Sequence, residues 1–93
     1  MLSAKGLALA VAVRCDDDSI HVTLTDGRVV TAPLTERLSA ATPAQRRAAY
    51  VTDFGTALRW DGIDEDLGVA EILGVDEDEL AALAGARPGL LKE

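Results

Sequence analysis

The sequence has one cysteine, one histidine and one each of tryptophan, tyrosine and phenylalanine among 93 residues. A lone cysteine excludes an internal disulfide. One cysteine with one histidine excludes a Cys/His zinc site built by this chain. With aromatics at 3%, the core has to be assembled from Val, Leu, Ile and Ala. Bases are also scarce: 9 Lys and Arg against 16 Asp and Glu give a net charge of −7. Such a balance argues against a domain whose main task is gripping nucleic-acid phosphate, which draws on clustered Lys and Arg. Long apolar runs are missing. The stretch Leu7 to Val13 falls well short of the roughly 20 apolar residues that span a membrane. Three Asp follow it where a signal peptide would carry small residues. These features lead to an expected cytoplasmic, reducing setting with no membrane partner. No phosphate loop, Gly-x-Ser-x-Gly or His-Glu-x-x-His pattern occurs, so neither an enzyme nor a cofactor is expected.

What is present reads as one domain over residues 1–93. Hydrophobic residues at 48% and charged residues at 27% are the balance of a globular chain. The run from Leu7 to Val13 alternates large and small, which predicts a strand with Leu7, Leu9, Val11 and Val13 on one face. Arg14 to Ser19 reads as a polar turn. Ile20, Val22 and Leu24 alternate towards a core, and His21 has the opposite, solvent-facing parity. Asp26-Gly27 predicts a tight hairpin turn of type I′, returning through Arg28 to Ala32 and ending at Pro33.

The middle of the chain changes period. Thr42-Pro43-Ala44-Gln45 has the form of a capped helix start, with the helix running to Tyr50 and ending near Asp53 and Gly55. Thr56 to Trp60 alternates as one more strand, with Trp60 a core anchor. The last third reads as helical. Val69, Ile72 and Leu73 share a face, and Asp76 caps a second helix with Glu79 at the capping-box position. Leu80, Leu83 and Ala84 form its apolar stripe, and Gly85 stops it. The expected fold is α+β: a small antiparallel sheet of three to four strands, one packed helix and a C-terminal acidic helical segment.

Residues 20–74 resemble a small bacterial family known as domain of unknown function 2442. The resemblance rests on Leu24-Thr25-Asp26-Gly27-Arg28, Arg37-Leu38, Ala41-Thr42-Pro43-Ala44-Gln45-Arg46, Leu58-Arg59-Trp60, Ile63-Asp64-Glu65-Asp66-Leu67-Gly68-Val69 and Ile72-Leu73-Gly74. It implies a β-rich α+β fold in which a hairpin packs with a helix and a later strand. Family members often look like one half of toxin–antitoxin pairs, which implies partner binding. The chain departs from the family pattern at Asp61, where Pro is usual, and in the acidic helix and tail over residues 75–93.

Charge is strongly local. Nine acids and no base lie between Asp61 and Glu79, while the remainder carries 7 acids and 9 bases. One reading is a solvated face with acids at helix starts. The other is a docking surface, in which spaced carboxylates imitate phosphates and occupy a basic groove. On that reading Asp61, Asp64, Glu65, Asp66, Glu71, Asp76, Glu77 and Asp78 face the partner. The partner would be a basic nucleic-acid-binding protein, either a defence-complex subunit or a toxin. The chain would be a non-catalytic inhibitor, anti-CRISPR-like or antitoxin-like. The rival is a DNA-binding regulator using Arg28, Arg37, Arg46 and Arg47. The acids lack the spacing of a calcium loop, so no metal is expected. Acids beside Cys15 disfavour its thiolate, leaving an intermolecular disulfide, if exposed, as its one expected chemistry. A homodimer is also expected, through an edge strand or the helix near Leu80 and Leu83.

Overall fold

The computed structural model describes residues 7–85. The class is α+β, with six short strands divided between two three-stranded antiparallel sheets. The first sheet holds β1 (Ala10–Cys15), β2 (Ser19–Leu24) and β3 (Val29–Pro33) in that order. Helices α1 (Glu36–Ser39) and α2 (Pro43–Arg47) lead to the second sheet. That sheet holds β4 (Tyr50–Thr52), β5 (Ala57–Trp60) and β6 (Glu65–Gly68), and is followed by α3 (Val69–Leu73) and α4 (Glu77–Gly85).

The β2–β3 hairpin follows the alternation of its side chains. Ile20, Val22 and Leu24 are buried, and Val22 pairs with Val30 and Ile20 with Ala32. Its turn differs from type I′. Gly27 has φ +92°, whereas Asp26 is not among the residues with positive φ. The Gly27 N–H donates to Leu24 O at 3.0 Å and the Leu24 N–H to Arg28 O at 2.9 Å. The loop is thus three residues, with Gly27 as the left-handed closing residue. Asp26 braces it by accepting from the Arg28 N–H at 3.0 Å and its Nε at 2.7 Å.

β1 departs from the expected parity. The register passes from Ala10 opposite Leu24 to Ala12 opposite Thr23, so Val11 is bulged out and is 54% exposed. An extra residue in one strand reverses the faces beyond it. Ala8, Leu9 and Ala10 are buried on one side of the bulge and Cys15 on the other. Arg14 and Cys15 consequently belong to the strand, and the turn shrinks to Asp16, Asp17 and Asp18. Asp16 Oδ1 closes it, accepting from the N–H groups of Asp18 and Ser19 at 2.8 Å each.

Thr42 caps α2 as expected, with Gln45 completing the reciprocal box. The helix is only five residues long, however, and Tyr50 lies in β4. The α1 turn, capped by Thr35, precedes it. Between β4 and β5, Asp53, Phe54 and Gly55 all have positive φ. This turn presses Gly55 against Leu9 Cβ and the backbone of Ala10, so the two sheets meet where no side chain fits. Trp60 is fully buried and its Nε1–H donates to Arg46 O at 3.2 Å. Asp76 caps α4, whose Leu80 and Ala84 enter the core. The tail from residue 86 lies outside the described residues.

Candidate functional site

The acidic stretch divides into three groups with different surroundings. The first surrounds Arg59. β5 and β6 pair with Arg59 opposite Asp66, and a tight turn at Asp61–Ile63 joins them. Asp64 closes that turn in the left-handed region, φ 53°. The connection is short enough that three carboxylates converge on one guanidinium. Arg59 donates from Nε to Asp61 at 2.8 Å, from Nη2 to Asp64 at 2.6 Å and from Nη1 to Asp66 at 3.3 Å. The guanidinium holds the Asp64 carboxyl below the usual carboxylate range. The Tyr50 hydroxyl donates to Asp61, and that bond, which only the protonated phenol can make, raises the phenol's pKa.

The second group is structural. Glu65 points inward, its side chain 17% exposed. It accepts from the Thr35 hydroxyl at 2.7 Å and lies 3.6 Å from Arg37 Nε. Thr35 in turn caps α1 by accepting the Leu38 N–H. Glu65 therefore ties β6 to the start of α1 and is not a free docking acid. Asp76 is occupied at the start of α4, accepting from the Asp78 N–H at 2.7 Å and the Glu79 N–H at 3.2 Å.

The third group lines an open groove of 610 Å³. Asp53 from the β4–β5 turn, Asp66 from β6, Glu71 from α3 and Glu77 from α4 stand around it. Leu67, Ala70, Val75 and Leu80 contribute its apolar part. No Lys, Arg or His lines it among the described residues. Of the eight acids picked from sequence, the groove gathers Asp66, Glu71 and Glu77. Asp61 and Asp64 sit at the Arg59 fork, which Asp66 also reaches, and Asp78 is exposed on α4. Asp53 was not among the eight. It lies outside the acidic stretch, and the positive-φ turn between β4 and β5 places it at the groove that Asp66 also lines.

Three of the four arginines of the rival reading are drawn into local contacts with different partners. Arg46 is 8% exposed and donates to Leu38 O at 3.1 Å, Ala41 O at 2.7 Å and Asp17 at 2.9 Å. Arg37 reaches Glu65 and Ile63 O, and Arg28 is held by Asp26. Arg47 is exposed beside a second hollow of 430 Å³ that mixes three arginines with three aspartates. His21 is partly buried on the outer sheet face, its Nε2 2.9 Å from Asp16 and its Nδ1 3.3 Å from the Thr31 hydroxyl. Cys15 is buried, which pushes its thiol pKa up and keeps it from the surface where an intermolecular disulfide would form. Among the described residues no cluster of three or more His, Cys, Asp or Glu is arranged to hold a metal ion. No helix among them is long and apolar enough to cross a membrane.

Three comparisons bear on these features. No curated protein matches the chain. The crystal structure of a protein of unknown function from Rhodospirillum rubrum ATCC 11170 is similar, with 26% sequence identity and a TM-score of 0.63. The similarity covers 73% of this chain and 88% of that one. Residues 10–77 match a family profile that spans all six strands and reaches the first residue of α4. The strand and turn residues that place Arg59, Asp66 and Glu71 are thus inside the shared segment, and the chain belongs to the family described as Protein of unknown function (DUF2442).

Proposed function

We infer that the chain is a non-catalytic protein-binding inhibitor, anti-CRISPR-like or antitoxin-like, that takes a basic segment of a nucleic-acid-handling partner into its acidic groove. The observation that carries this reading is the convergence of Asp53, Asp66, Glu71 and Glu77, from four separate elements, around a groove with an apolar part and no lining base. Carboxylates held by different elements keep fixed spacings, as phosphates do along a strand. Their mutual repulsion is relieved when a cationic side chain enters. The apolar part gives the stem of a Lys or Arg a surface to lie on. Long-range attraction would speed association and make it sensitive to salt.

The test uses the double variant Glu71→Lys, Glu77→Lys. Both side chains are exposed and neither caps a helix, so the fold survives the change. The wild-type and variant chains are used to capture the partner from host lysate, and a duplex DNA is titrated in parallel. The expected result is a basic nucleic-acid-handling protein. Its retention should fall at least about tenfold in the variant and decline as salt shortens the screening length from about 10 Å towards 3 Å. Retention indifferent to both reversals and to salt would overturn the reading. Salt-dependent binding of duplex DNA would replace it with the rival through Arg28, Arg37, Arg46 and Arg47.

A further inference from the structure

The outer edge of β3 is an unpaired template, and we propose that it pairs antiparallel with β3 of a second copy, joining two three-stranded sheets into one of six strands across a two-fold axis at Thr31. Among the described residues no strand pairs with this edge. The hydrogen-bonding direction of each β3 residue follows from the hairpin. Leu24 and Arg28 form a bonded pair through the Leu24 N–H and Arg28 O. Bonded and non-bonded pairs alternate along an antiparallel ladder. Val30 and Ala32, opposite Val22 and Ile20, therefore turn their peptide groups towards β2. Val29, Thr31 and Pro33 turn theirs outward.

A register centred on Thr31 overlaps all five residues of both strands. Each Thr31 N–H donates to the other Thr31 O, and each Val29 N–H donates to the Pro33 O of the other copy. Pro33 has no N–H to offer, and in this register only Val29 O goes without a donor. The side chains are self-complementary on both faces. Val29, 60% exposed, meets the Pro33 ring of the other copy on the outer face. Val30 and Ala32, which pack only partly buried against the core, meet each other's copies on the inner face. β3 itself contains no charged side chain to repel a second strand, the usual protection of an edge. The strand is short, so the interface belongs with those below about 1,200 Å², which associate weakly.

Sedimentation equilibrium of the full chain over a range of concentration tests the proposal, with Val29→Lys and Thr31→Cys as variants. The wild type should convert from monomer to dimer at micromolar to millimolar concentration. Val29→Lys places a charge against each Pro33, and its dissociation constant should rise by about tenfold or more. Its unfolding transition should be unchanged, because the side chain already faces solvent. Thr31→Cys should form a disulfide-linked dimer under mild oxidation, because bonded antiparallel pairs hold their Cα atoms about 5.5 Å apart. Val11→Cys, exposed on β1, should not. A chain that stays monomeric at about 1 mM, or a dimer unaffected by Val29→Lys and not trapped through position 31, overturns the proposal. Trapping of position 31 to a different protein, without the self-linked dimer, overturns the second copy as occupant.

Discussion

Gly27 and Gly55 share a backbone conformation and differ in what lies beside them. Their φ values are +92° and +91°. Alanine at either position has to adopt a left-handed conformation, at a cost of about 1–2 kcal/mol. At Gly27 a Cβ would meet no heavy atom within 4 Å, so Gly27→Ala should cost only that. Gly27→Val should cost at least as much, because a β-branched residue at positive φ is a genuine outlier. At Gly55 the Cβ would lie 2.8 Å from Leu9 Cβ, 2.9 Å from Ala10 O and 3.2 Å from Ala10 N. These atoms belong to the backbone or are attached directly to it, so no side-chain rotation relieves the overlap. β1 has to move, and the Thr25 N–H to Leu9 O bond of 2.8 Å is strained with it. Overpacking of this kind adds about 1–3 kcal/mol.

Gly55→Ala should therefore cost about 2–5 kcal/mol, a large part of the 5–15 kcal/mol typical of a folded domain. In a domain of this size each kcal/mol lowers Tm by about 4–8 °C. Urea unfolding is the assay, followed by the fluorescence of Trp60, which is fully buried and the chain's one tryptophan. Gly27→Ala should shift the midpoint modestly, and Gly55→Ala should shift it two to three times as far, about the ratio of the two costs. Equal shifts, or a milder effect at Gly55, would refute the close approach of the two sheets at that turn.

Arg46→Met should cost about 3 kcal/mol, because Leu38 O and Ala41 O lose their donor inside the fold. Asp17→Asn should cost under about 1 kcal/mol, since its side chain is mostly exposed, and a reversed order in urea unfolding would remove Arg46 as an organising residue. Asp16 accepts two backbone N–H groups and contacts His21, which holds its carboxyl below the usual range. A depressed folded-state pKa gives stability that is present above the ordinary Asp value, near about 4, and is lost as pH falls below it. Asp16→Asn should flatten stability against pH in that acid window, and an unchanged slope there would discount the turn as its source. Glu65→Ala should destabilise the chain by about 1–2 kcal/mol through the lost Thr35 anchor, and unfolding unaffected by it would return Glu65 to the docking acids.

Local signals in the sequence were sufficient where one element supplies both the side chain and its partner. The Thr42–Gln45 box, the Asp76 cap, the buried parity of Ile20, Val22 and Leu24, and the opposed parity of Leu58 and Trp60 against Arg59 are all of this kind. The signals were insufficient where the partner is distant. Val11 looks like a core residue until the bulge against β2 turns it outward, and a bulge is a property of two strands together. β4 and β6 are three and four residues long, and Glu65-Asp66 reads as a solvated helical segment because its ladder partner Arg59 lies in another strand. Arg46 has the look of a surface base, yet its acceptors are the carbonyls that end α1 and the Asp17 carboxylate of the β1–β2 turn. The same distinction applies to the acidic stretch. Its local density was plain, but the turn between β5 and β6 spends Asp61 and Asp64 on Arg59, ladder pairing sets Asp66 against the same guanidinium at 3.3 Å, and α1 takes Glu65. Which acids share the groove is set by topology: Glu71 and Glu77 stand there with Asp66, which also reaches Arg59, and with Asp53, which the sequence places outside the stretch altogether. Charge reversals chosen by density would strike Glu65 and break its bond to Thr35, mixing destabilisation with any effect on binding, whereas reversals chosen by the groove leave the α1 anchor untouched.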